Sequence, residues 1–326
     1  MLSKRDLLKG SAAAAALTVY GGSFGEALAQ GNVQLQLFVP AAPGGGWDQT
    51  ARTMEMVMKN EKLIASAQVT NVPGAGGAVG LPQFVNQWKN RPSALMVGGL
   101  VMIGALIANK APVKVTQTVP IARLTGEFEA LVVPANSPLK TAKDFADAVK
   151  ADATKVSVAG GSAGGTDHIM LGMIGKALGV PPKNLKYVAY AGGGPALAAI
   201  LGGHVTAGIS GYGEFAEQIK AGKLRALAIS SGERQPGVDV PTLKEQGIDV
   251  ELFNWRGVFA PPGTNAAQRD ALISLVRKMV ESKSWQAELK KRDWTSIPLY
   301  GDEYAKYVES ELARVEVILK DLGLAS

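Results

Sequence analysis

The chain has 326 residues, 47% hydrophobic and 19% charged, a globular balance that excludes wholesale disorder and gives length for about two domains. Lys and Arg number 34 against 28 Asp and Glu, a mild net charge of +6 with no basic block beyond an ordinary solvated helix face, so no nucleic-acid partner is expected. With no cysteine and only His168 and His204, disulfides, a thiol nucleophile and Cys- or His-rich metal centres are excluded, and neither cofactor nor metal is expected.

Residues 1–29 read as a secretory signal peptide. Lys4, Arg5 and Lys9 precede the soft apolar stretch SAAAAALTVYGG, and Ala-Leu-Ala at 27–29 gives a small-x-small cleavage site before Gln30. The apolar run is too short and too rich in Gly and Ala for a membrane-spanning helix of about 20 residues. SKRDLLKG also resembles a twin-arginine signal with Lys4 in place of the first Arg, which leaves both export routes open. A periplasmic mature protein is expected.

Beyond Gln30, strands alternate with helices. VQLQLFVP (33–40) predicts a strand, PGGGWDQ a loop and TARTMEMVMKNE a helix. AQVTNVP is a short strand, followed by the glycine-rich GAGGAVG and a helix through FVNQWKN. ALMVGGL and EALVVPAN (129–136) are strands, and Thr141 opens the helix TAKDFADAVKAD. KVSVAGG, GSAGGTD and HIMLGMIGKALG repeat strand, loop and helix, as do LKYVAYAGGG and PALAAILGG. VTAGISG and LRALAISS are strands, and the chain is mainly helical from Asn265. This alternation predicts an α/β fold with mostly parallel sheets.

Four glycine loops stand where a strand hands over to a helix. Glycine lets backbone approach a ligand, and a helix start offers unpaired N–H groups and a positive dipole end, so loops converging on one cleft suit an anion. The donors would come from Gly45 and Gly46; from Ala75, Gly76 and Gly77; from Ser162, Gly164, Gly165 and Thr166; and from Gly193 and Gly194. The plainer alternative is that each loop is only a tight turn. Trp47 is a candidate pocket wall. Asp48 is a natural N-cap, better suited to ordering the loop's N–H groups than to touching an anion it would repel. Arg123 and Arg256 are candidates for a bidentate carboxylate clamp, and either serves equally as a structural ion-pair partner. Arg52 reads as a surface helix residue.

Enzyme signals are thin. GAGGAVG misses the dinucleotide spacing by one residue, no Walker loop exists, and Ser162 has no evident His partner. His168 reads as a helix-terminal or packing residue and His204 as exposed. No catalytic residue is assigned.

The blocks VPAAPGGGWDQTAR, NVPGAGGAVG, YAGGGPALAAILGGHVTAG, IKAGKLRALAISSGER, DVPTLKEQGID and NWRGVFAPPGT, in this order over about residues 37–264, together resemble the periplasmic solute receptors of tripartite tricarboxylate transporters, the Bug family. GGGWDQTAR and NWRGVFAPPG resemble its tricarboxylate-receptor branch. The resemblance implies a two-lobed type II periplasmic-binding-protein fold with the ligand cleft between α/β lobes. The strand pattern places the crossings after EALVV and after LRALAIS, giving 30–131 and 231–326 as lobe one and 132–230 as lobe two. It further implies a monomeric receptor that closes like a hinged clamp on a citrate-like di- or tricarboxylate, held by loop amides and ordered waters. The receptor would pass its ligand to integral-membrane permease subunits. A receptor serving a signalling partner and an exported enzyme are the alternatives on a similar scaffold.

Overall fold

A strand of sixteen residues organises the molecule. β4 (Val119–Pro134) belongs to two sheets: Val119–Phe128 pairs with β9 (Phe253–Ala260), and Glu129–Val132 pairs with β7 (Ala207–Gly211). The structure, a computed structural model, describes residues 24–161, 163–190 and 193–325. Most of the predicted signal peptide therefore lies outside the described residues. Its last part, Phe24–Ala29, forms a short helix, α1, with Leu28 buried.

The first sheet is built from βαβ units. β1 (Gln34–Val39), α2 (Gly46–Asn60), β2 (Ser66–Asn71), α3 (Gly80–Gln87), β3 (Ala94–Gly99) and α4 (Leu100–Ala108) follow in order. The strands run β2-β1-β3-β9-β4, with β10 (Thr295–Tyr300) on the far side of β4. The second sheet contains β5 (Ser157–Gly160), β6 (Lys186–Ala189) and β7 on one side of β4, and β8 (Leu224–Ile229) on the other. Its helices are α5 (Ala142–Asp152), α6 (Thr166–Ala177), α7 (Gly193–Leu201) and α8 (Tyr212–Lys220). Helices α9 (Ala266–Glu281), α10 (Lys283–Lys291) and α11 (Gly301–Asp321) complete the chain.

The expectation of mostly parallel sheets is corrected. β1–β2, β1–β3, β5–β6 and β5–β7 are parallel, but every pairing of β4 and β9 is antiparallel. β4 carries the chain from the first sheet into the second, β9 lies beside it in the first sheet, and each runs against its βαβ neighbours. Residues 119–128 of β4 escaped the sequence reading because Pro120, Arg123 and Gly126 interrupt its apolar run. Helix α2 also starts four residues before the predicted Thr50, which puts Trp47 in its first turn.

Local signals set other boundaries. Thr141 caps α5: its hydroxyl accepts from the Asp144 N–H at 3.1 Å, while the Asp144 carboxylate accepts from the Thr141 N–H at 3.0 Å. Asn265 and Gln268 form the same reciprocal cap on α9. Leu35, Leu37, Phe38 and Val39 of β1 are buried, each contributing about 1.5–3 kcal/mol of apolar burial for the larger side chains. Trp255 of β9 is fully buried and meets Tyr304 and Tyr307 of α11 edge-on. Its indole N–H donates to the Glu311 carboxylate at 2.9 Å, so the polar edge is satisfied in the core.

The two sheets' layers also touch directly. Gly104 in the middle of α4 lies against Gly164 in the loop before α6, so closely that a β-carbon on Gly104 would stand 2.2 Å from the Gly164 carbonyl oxygen. Among the described residues no helix is long and apolar enough to cross a membrane.

Candidate functional site

A cavity of about 780 Å³ is lined by residues of both sheets. Gly44–Trp47 and Pro73, Gly74 and Gly76 form one wall, at the carboxyl ends of β1 and β2. Gly211, Gly213 and Glu214, at the handover from β7 to α8, line it from the second sheet. Glu127, Asn254, Arg256 and Trp294 lie at the back, with Lys291, Arg292 and Asp293 beside them.

The first glycine loop is ordered by its own helix. Gly44 takes a left-handed φ of 84°, and its N–H donates to the Asp48 carboxylate at 2.8 Å. Asp48 also accepts from Arg52 at 2.8 Å and from the Asn71 amide at 2.9 Å. Burial opposes its ionisation, but these hydrogen bonds, with Arg52 foremost, prevail and hold the carboxyl below its ordinary range. Asp48 is thus committed to the loop and does not line the cavity, and the helix is capped instead by Gly45, without a side-chain bond.

Trp47 is buried and lines the cavity, with its ring edge 3.3 Å from where a β-carbon of Gly77 would stand. It is wall and packing residue together. Gly46 has a separate constraint: a β-carbon there would lie 2.6 Å from an Arg256 guanidinium nitrogen. The Arg256 side chain therefore rests on bare backbone. Its Nη2 pairs with the Glu127 carboxylate at 2.6 Å, and its guanidinium stands 5.1 Å from the Trp294 ring centroid. Arg292 lies over the same ring at 5.3 Å. The Arg256 Nη1 is buried without a hydrogen-bond partner among the described residues.

Behind and beside this arginine stand four carboxyl groups. Glu129 is fully buried and neither oxygen has a conventional partner. Burial, followed by the charges of Asp167, Glu127 and Glu214, pushes it well above its ordinary pKa. Asp167 is pushed up to about 6, chiefly by burial and against the pull of the Gly161 N–H, which donates to it at 2.6 Å. The charge of Asp167 bears on Glu129, and neighbouring carboxyl groups are relieved of repulsion when one holds a proton. Glu214 is open to the cavity yet flanked by protein. Its pKa is raised by that partial burial, opposed by the Ser210 hydroxyl donating at 3.2 Å, and raised again by Glu127.

The structure brings together Gly45, Gly46, Trp47, Gly76 and Arg256 of the sequence-predicted residues. Ala75 and Gly77 belong to the short turn of Ala75–Gly77 and do not line the cavity. Ser162 lies outside the described residues. Gly164, Gly165 and Thr166 do not line the cavity, nor does Gly194 in the first turn of α7. The loop before α6 spends donors internally: the Gly161 N–H goes to Asp167 and the Gly164 N–H to His168 Nδ1 at 3.2 Å. His168 stacks on Tyr187 with centroids 4.0 Å apart, and burial lowers its pKa to about 4. His204 is exposed, and Arg52 is a half-exposed partner of Asp48. Arg123 donates to the Ile297 carbonyl at 2.6 Å and stacks on Tyr307 at 4.2 Å, outside the cavity lining.

Sequence reasoning missed Glu127, Glu214, Asn254 and Trp294. Gly211-Tyr212-Gly213-Glu214 offered a signal: it is one more glycine-bearing handover from an apolar strand to a helix. Glu127 offered none, because its strand was itself unrecognised.

The Tripartite tricarboxylate transporter family receptor profile matches residues 50–324. Protein BugT of Bordetella pertussis is 27% identical over 297 residues, spanning 89% of this chain and 89% of its own. A TctC solute-binding protein from Polaromonas, solved without ligand, is similar with a TM-score of 0.74 and 26% identity, covering 89% of this chain and 98% of that one. MatC from Rhodopseudomonas palustris, solved with bound malate, gives 0.71 at 26% identity, covering 88% of this chain and 99% of that one. A strand shared by two sheets, a cavity lined from both, and these matches lead to one assignment: the chain belongs to the Bug family of tripartite tricarboxylate transporter receptors, solute-binding proteins rather than enzymes.

Proposed function

We propose that this chain is an exported, monomeric receptor that captures a small carboxylate in the cavity between its sheets and delivers it to the permease of a tripartite transporter. The observation that carries the reading is Arg256 lying on bare Gly46 backbone at the start of α2, with its Nη1 unpartnered. A guanidinium beside a helix start is a natural carboxylate site. The malate held by the MatC relative supports a small diacid or hydroxy acid. A compact citrate-like di- or tricarboxylate suits a space walled by Trp47.

In this proposal Gly45, Gly46, Trp47, Gly76 and Arg256 meet the ligand. Residues 30–131 with 231–326 and residues 132–230 are the two lobes that close on it, a division supported by the passage of β4 from one sheet to the other. A thermal-shift panel of citrate, malate, other organic acids, sugars and amino acids tests the ligand class. A binder at about 100 times its dissociation constant stabilises the fold by about 2.7 kcal/mol, a readable melting shift. Shifts with sugars or cationic amino acids, and with no carboxylic acid, refute the carboxylate reading.

A further inference from the structure

The wall supplied by the second sheet is chemically wrong for an ordinary anion site. Its charged group is Glu214, and no Lys or Arg pairs with it among the described residues. The groups facing it can be named element by element. Ser210, at the end of β7, donates to it at 3.2 Å. Glu127 of β4 adds negative charge beside it, and Glu129 of β4 and Asp167 of α6 are further acidic groups whose ionisation it opposes. Arg256 of β9 is the cation acting on it, and that guanidinium is engaged by Glu127 at 2.6 Å. Lys291, Arg292 and Asp293 line the same cavity, and Lys291 and Arg292 pair with Glu288 at 3.6 and 3.0 Å. A carboxylate bound beside Arg256 therefore shares the cavity with the Glu214 carboxylate.

Two ionised carboxylates in a shared site repel, whereas one proton between them turns repulsion into a strong hydrogen bond. We propose that Glu214 meets the ligand as a protonated carboxyl, donating to a ligand carboxylate, so that capture takes up one proton from solvent. The balance is simple: ionised Glu214, one solvent proton and the ligand carboxylate give a neutral acid hydrogen-bonded to that carboxylate, with nothing released. The raised pKa of Glu214, chiefly from burial, is in the same direction. An acid that donates also bears on specificity, because its O–H rewards an ionised acceptor on the ligand.

The inference rests on the carboxylate-receptor reading, and the experiment separates the two. Calorimetric titration with malate and with citrate, in two buffers of different ionisation enthalpy, counts protons taken up between about pH 8 and pH 9, where both acids are essentially fully ionised. Wild type is expected to take up about one proton per ligand, with the dissociation constant rising up to tenfold per pH unit. Glu214→Gln keeps a hydrogen-bond donor without needing the proton, so its uptake falls to zero and its affinity no longer varies with pH. Its melting curve without ligand reports that it folds. Binding without proton uptake in wild type overturns the inference alone. Uptake that persists in Glu214→Gln but disappears in Glu129→Gln also overturns it, by placing the proton in the buried pair. If neither these acids nor any other carboxylic acid binds, the inference falls together with the carboxylate reading.

Discussion

Replacing Gly104 with Ala puts one methyl group where the two sheets' layers meet. The new β-carbon would stand 2.2 Å from the Gly164 carbonyl oxygen and 3.3 Å from Ile169 Cδ1. The nearer atom is backbone, so it cannot swing aside as a side-chain tip does. Relief needs a retreat of about 1 Å by the loop before α6 or by the helix that carries residue 104. Alanine inside a helix gains about 1 kcal/mol over glycine, while crowding of a packed site costs about 1–3 kcal/mol. The net expectation is a loss of about 0–2 kcal/mol, a fall in Tm of up to about 6 °C. The retreat also shifts one sheet's layer relative to the other across the cavity. A mismatch of about 1.4 kcal/mol in the bound arrangement weakens ligand tenfold. Urea unfolding gives the first quantity and calorimetric titration the second. A variant about 1 kcal/mol more stable than the parent with unchanged affinity would refute the reasoning, because the loop would then yield freely and the contact would set nothing.

Arg256→Ala removes the cation facing Glu127, whose side chain is 25% exposed, and should cost about 2–3 kcal/mol in urea, discounted from the fully buried case; a loss below about 0.5 kcal/mol contradicts this. Trp255→Phe deletes the indole donor to Glu311, which keeps its Arg314 partner at 2.8 Å, so about 1–2 kcal/mol is expected by the same measurement. Asp167 has a folded pKa raised from 3.8 to about 6, so its contribution is fully present below the lower value and is lost as pH rises through the upper one. Asp167→Asn should therefore flatten the decline in stability across that window, by up to about 3 kcal/mol. A pH–stability profile parallel to wild type counts against it.

The sequence carried the βαβ units well because their strands are uninterrupted apolar runs bounded by glycine. ALMVGG became the fully buried β3, and Thr141 began its helix as its capping chemistry requires. It carried the crossing strand poorly, because Arg123 and Glu127 point away from the pattern a buried strand displays, and their partners lie far away in the chain. Arg123 is satisfied by the Ile297 carbonyl and Tyr307, and Glu127 by Arg256. The glycine loops were visible, but the fate of their N–H groups was not. Asp48, Asp167 and His168 claim donors in two of them, and a hydrogen bond from Gly44 or Gly164 leaves no trace in residue spacing alone. Trp47 at the cavity was legible from its odd position after three glycines. Glu214 became meaningful only when Arg256 proved to be engaged elsewhere.

The shared strand also dictates an order of assembly. The second sheet draws its strands from residues 129–229 together, whereas Met96 of β3 must wait for Phe259. Closing so long a segment is entropically slow compared with local pairing. A chain emerging from its N-terminus first thus has β1, β2 and β3 in hand long before β9 exists. During that interval ALMVGG presents an unpaired, wholly apolar edge, the kind of surface on which chains pair with one another. Any truncation ahead of residue 253 makes that interval permanent, and the same is true of a chain stalled at that length.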